Sequence, residues 1–153
     1  MQQSSGESRI HRRLVDQLYV EAMVLADEAR TYFDEEGRTE RETLSPLERV
    51  GFSCESLKVT TRLMHVIAWL LTQRAVASGE LCARDALDPS RRLGDAPRTD
   101  EAAAAILPLR ARLLIVASSD LHRRIARLDA SAATGQDALS PARAMQQRLS
   151  RAF

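Results

Sequence analysis

An all-α fold is predicted for this chain, an antiparallel three-helix bundle with a long central helix and a flexible C-terminal tail. Three observations predict it. Apolar residues recur at steps of three and four over long stretches. Aromatic residues, which strands collect, make up only 4% of the sequence. Breakers are few, with six glycines and five prolines among 153 residues. That length suits one domain with a single core, and 44% apolar with 28% charged residues is ordinary for a folded soluble protein. The expected division is a bundle over residues 1–130 and a tail over 131–153.

The first helix is expected from about Ser8 to Glu36. Val15, Leu18, Ala22, Leu25, Ala29 and Tyr32 alternate steps of three and four, the seam of a helix packed along another. Tyr19, Met23, Ala26 and Phe33 widen the stripe, and Gly37 is placed to stop the helix.

The second helix opens on Ser45-Pro46-Leu47-Glu48, an N-cap, a proline at the first helical position and a glutamate to close the capping box. A heptad follows through Leu47, Val50, Cys54, Leu57, Thr61, Met64, Ala68, Leu71 and Ala75, with Gly79 as the stop. A second stripe runs beside it through Phe52, Val59, Leu63, Val66, Ile67 and Leu70. A helix with two apolar stripes belongs between two neighbours, so this one is central. Gly51 inside it either admits a close backbone or is tolerated near the helix start.

Residues 80–98 form a long connector broken by Asp88-Pro89, Gly94 and Pro97, with room for one helical turn around Ala83 to Leu87. It is either functional or a loop that returns the chain. The third helix starts near Thr99, where Asp100 and Glu101 suit its N-terminal dipole. Pro108 kinks it or marks the start of its main part, in which Leu114, Ala117, Leu121, Ile125 and Leu128 face inward. Ser131 to Ser140 reads as a small-residue linker. Ser140-Pro141 can open a last short helix to Phe153, marginal alone, so a mobile tail is expected.

The formal net charge of +1 hides a polarity. Residues 1–40 are net −4, and residues 105–153 carry eight arginines against three aspartates. The two ends meet different partners or a second copy, or they simply solvate separate faces.

Chemistry is sparse. His11, His65 and His122 lie on three different helices without a second ligand at metal spacing, and no cofactor is expected. Cys54 sits in the heptad and reads as a small core hydrophobe, while Cys82 lies in the connector with nothing basic fixed beside it. No phosphate loop, nucleophile elbow or specific carboxylate pair is present. Glu28 and Glu55 suit structural pairs with Arg30 or Arg62. An enzyme is not expected.

Basic triplets at His11-Arg12-Arg13 and His122-Arg123-Arg124, with Arg143, Arg148 and Arg151 in the tail, raise a nucleic-acid-associated regulator as the alternative. A pI near 7.9 and interspersed acids speak against it. No apolar run reaches membrane-span length, and no secretory signal is seen, so a cytoplasmic place is expected. Surface recognition remains. Trp69 and Tyr19 each finish the core or anchor an interface. With Arg30, Arg62, Gln73, Arg74 and the tail arginines Arg143, Arg148 and Arg151, they are the candidate partner-binding residues.

Two blocks carry a resemblance. One is Leu18-Tyr19-x-x-Ala22-Met23-x-Leu25-x-x-Glu28-Ala29-Arg30-x-Tyr32. The other, more specific, is Glu55-Ser56-Leu57-x-Val59-Thr60-Thr61-Arg62-Leu63-Met64, followed by Ala68-Trp69-Leu70-Leu71-x-Gln73-Arg74-Ala75 and Gly79-Glu80. In these the chain resembles the alphaproteobacterial regulator of CtrA degradation family, over about Leu14 to Asp129. The resemblance implies a dimeric three-helix bundle without enzymatic activity. It implies an adaptor that links cell-cycle cargo to the ClpXP protease, whose unfoldase is primed by a response-regulator-like adaptor. It also implies a flexible C-terminal arm that takes part in delivery, and a working place with the protease at the cell pole.

Overall fold

The computed structural model of the chain describes residues 2–138, with side chains described over 5–135. Among these residues all regular structure is helical. Helix α1 spans Gln2–Thr31 and continues through a wide turn, Tyr32–Glu36, into the short α2, Arg38–Glu42. Helix α3 spans Pro46–Ala77, the connector holds two single turns at Asp85–Leu87 and Pro89–Arg91, and α4 covers Glu101–Ala105. Helix α5 spans Leu109–Ala138. Helices α1, α3 and α5 pack on one another and enclose the core between them.

The long helices form where the periodicity placed them. Val15, Leu18, Ala22, Ala29 and Tyr32 are buried, and Leu25 is half-buried. The Ser45–Glu48 capping box is closed in both directions, and Pro46 opens α3. Gly79 ends that region with a positive φ of 81°, which a Cβ would oppose. Pro108 separates α4, capped by Asp100, from the main part of the third helix.

Four expectations are corrected. Gly37 does not stop the first helix, because its backbone stays right-handed and the chain winds on into α2. Its N–H donates to the Tyr32 carbonyl five residues back at 2.6 Å, a π-helical turn. A side chain there would meet that carbonyl oxygen at 2.8 Å. The aromatic trio of Tyr32, Phe33 and Phe52, with ring centroids 5.1–6.1 Å apart, closes this end of the bundle.

The small residues from Ser131 are helical as far as Ala138, so they are not a linker. Alanine-rich sequence favours helix, no proline intervenes, and Gly135 is carried within the helix. Residues 139–153, with the expected last helix, lie outside the described residues.

The heptad of the second helix is not its buried face. Leu47 is 81% exposed, Val50 59%, Leu57 68%, Met64 63% and Leu71 47%. Cys54, placed on the same line, is exposed and is not a core residue. The face turned inward carries Phe52, Val59, Leu63, Val66 and Leu70 of the second stripe, and it serves both neighbouring helices. With each neighbour packed against that one broad face, the heptad is left to solvent.

Candidate functional site

Connector residues Arg92–Thr99 are bound to the bundle by side chains from α3 and α5. Arg62 of α3 is 1% exposed and donates to the Pro97 carbonyl at 2.8 Å, the Thr99 hydroxyl at 2.6 Å and the Ser118 hydroxyl at 3.3 Å. The Thr99 hydroxyl donates in turn to the buried Glu55 carboxylate at 2.6 Å, which Lys58 also meets at 2.9 Å. Burial pushes the Arg62 guanidinium below its usual range, and the Glu55 charge opposes that shift. Further along, the Trp69 indole N–H donates to Asp129 at 2.9 Å, and Arg92 of the connector meets the same carboxylate at 2.9 Å. His65 and His122 meet the Asp95 and Gly94 carbonyls at 2.9 and 2.8 Å.

This arrangement corrects two candidates. Arg62 and Trp69, at 1% and 2% exposure, face the interior and hold the connector, so neither lies on a surface that a partner meets in this fold. Their partners stand 35 or more residues away in sequence. No local pattern in the sequence marks Thr99, Ser118, Asp129 or Arg92, because each meets a partner far away along the chain.

Of the remaining described candidates, Tyr19, Gln73 and Arg74 border one another at the α1–α3 edge. The Arg74 guanidinium lies 4.5 Å from the centre of the half-buried Tyr19 ring and 3.5 Å from the Asp16 carboxylate. Gln73 is half-buried beside it, and with Arg74, Asp16, His11 and Arg12 it lines a small hollow of about 160 Å³. Arg30 is exposed and pairs with Asp27, not with Glu28. Arg74 leads on to Leu71 and the exposed heptad, an apolar line about 42 Å long from Leu47 to Ala75 at helical rise. Scattered exposed apolar residues are normal, whereas a continuous line of them marks an interaction surface. Arg143, Arg148 and Arg151 lie outside the described residues.

The charge polarity is partly consumed within the fold. Arg124 of α5 holds Glu21 of α1 at 2.6 Å, and Arg110 pairs with Glu36 at the aromatic end. Arg123 pairs with Asp120. Three of the five described arginines of α5 are thus paired, while Arg112 and Arg127 meet no carboxylate among the described residues. Among the described residues, no group of three or more His, Cys, Asp or Glu side chains could hold a metal ion. No described helix is long and apolar enough to cross a membrane.

A second apolar surface lies between the connector with α4 and the first half of α5. This groove encloses about 840 Å³, with Leu109, Leu113 and Val116 on the α5 wall and Arg98, Arg112 and Arg123 among its charged lining.

Comparison with known proteins places this geometry. The model of a family described as a protein of unknown function, DUF1465, matches residues 6–153. The crystal structure of RcdA from Caulobacter crescentus CB15 matches with a TM-score of 0.61 and 35% sequence identity, covering 76% of this chain and 88% of that one. No curated protein matches. A family model spanning nearly the whole chain, joined to that identity over three quarters of it, makes this chain a member of the DUF1465, RcdA-like family.

Proposed function

We propose that the chain is a non-enzymatic adaptor that works as a homodimer and delivers cell-cycle regulatory cargo to the ClpXP protease. The observation that carries this reading is the solvent-facing α3 heptad in a chain of this family. A uniform 3–4 spacing over nine positions is what two α-helices need to interlock along a seam. Between copies, an isologous pairing would put α3 against α3 and remove the apolar line from water. Membership beside RcdA supports the link to regulated proteolysis. Delivery itself needs no chemistry, because holding cargo beside the unfoldase raises its effective concentration. Such a protein would act in the cytoplasm, with the protease at the cell pole.

The test is reconstituted ATP-dependent degradation of a cell-cycle regulator by ClpXP and its response-regulator-like adaptor, with and without this protein. Addition of the full chain is expected to accelerate cargo loss. A chain ending at Ala138, which keeps every described helix, is expected to fold but to deliver poorly if the remaining arm takes part. Cargo loss that is the same without the protein contradicts the adaptor reading. Equal rates with full and shortened chains contradict the role of the arm.

A further inference from the structure

The groove between the connector, α4 and α5 is a separate surface from the α3 heptad, and its lining is selective. Along one wall Leu109, Leu113 and Val116 follow an i, i+4, i+7 line, each more than half exposed. Ala104, Ala105 and Ile115 continue the apolar lining. The charges around it are uneven. Arg98 and Arg112 are exposed and pair with no carboxylate among the described residues. Of the two acids in the lining, Asp120 is already held by Arg123, which leaves Glu101.

We propose that this groove docks an acidic amphipathic helix of a partner protein, its leucine-like face on Leu109, Leu113 and Val116 and its carboxylates on Arg98 and Arg112. Three arguments select this occupant. The walls are helices and a connector whose carbonyls at Gly94, Asp95 and Pro97 are already bonded to side chains. They offer no open strand edge, so an incoming segment must satisfy its own backbone, as a helix does. The spacing of the wall matches the anchors of such a helix. The charge excess favours an acidic ligand and disfavours the chain's own residues 139–153, which carry Arg143, Arg148 and Arg151 and no Asp or Glu. A second copy offering α1 is a poorer fit, since its exposed Val20, Met23 and Val24 span one turn only and are followed by Asp27 and Glu28 at the next.

If the adaptor reading holds, this surface names the chemistry of a cargo or priming partner, but the test does not depend on the protease. The probe is a fluorescein-labelled synthetic amphipathic helix with leucines on one face and glutamates on both flanks, followed by anisotropy with the full chain. A second probe replaces each glutamate with lysine. The acidic probe is expected to bind about tenfold more tightly than the basic one at low salt, and the difference should shrink as salt rises. The double variant R98E/R112E, altered at two exposed positions, should reverse the preference, and Leu113→Asp should weaken both probes. Equal binding of the two probes, or a preference that survives R98E/R112E, overturns the proposal. A change of oligomeric state in R98E/R112E, with probe binding unaltered, assigns the groove to a second copy and also overturns it. In either case the degradation assay still judges the adaptor reading independently.

Discussion

Arg62 is the largest fully buried side chain among the described residues, a charge at 1% exposure with protein partners for its guanidinium nitrogens. Among the described residues no buried side-chain nitrogen or oxygen lacks a hydrogen bond, so this polar cluster is complete. Completeness makes it costly to open from one side. Arg62→Ala is expected to destabilise the fold by about 3–5 kcal/mol, because the Pro97 carbonyl would lose its buried donor and Glu55 would keep only the partly exposed Lys58 as counter-charge. The double variant Arg62→Met with Glu55→Leu should lose much less, since it removes both charges. Urea unfolding of the three proteins checks this, and a double variant as unstable as Arg62→Ala would contradict the account. From the sequence, Arg62 two turns before Trp69 reads as part of an interface. Nothing local separates an exposed arginine from one whose partners, Pro97, Thr99 and Ser118, arrive from 35 to 56 residues away.

At the scale of elements, caps and breakers were legible because their physics is local. The Ser45–Glu48 box, Pro46, Gly79 and Pro108 each act within a turn of their own position. The direction in which α3 turns its stripes was not legible. Both stripes are apolar and helical in period, and only the placement of α1 and α5 decides which is covered. Gly51 is settled by the structure, since a Cβ there would meet nothing within 4 Å. The wide turn at Tyr32 was also hidden, because Gly37 carries the same signature as a stop. That turn makes a pH-dependent contribution. Burial and the hydrogen bond to Glu40, 2.5 Å from the phenol oxygen, raise the Tyr32 pKa above its ordinary value of 10.0. The fold thus favours the protonated phenol. Its contribution is complete below pH about 10 and is lost as the pH climbs beyond that, toward the raised folded value. Chemical denaturation across this range should show stability falling more steeply for the native chain than for Tyr32→Phe. Parallel curves would mean that the phenol is not held protonated.

For the whole molecule, the two apolar surfaces and the paired charges give a division of labour. Two ion pairs, Glu21–Arg124 and Glu36–Arg110, join the acidic N-terminal region to α5 within one copy. The α3 heptad then remains as the longest uncovered apolar line among the described residues, and its pairing between copies is the central claim. Light scattering coupled to size exclusion at micromolar concentration tests it most directly, on the native chain and on the double variant Leu57→Glu with Met64→Glu. Both positions are more than 60% exposed, so the substitutions leave the core untouched. The account predicts a native dimer and a monomeric variant with unchanged helical circular dichroism. A native monomer, or a variant that still dimerises, would contradict it.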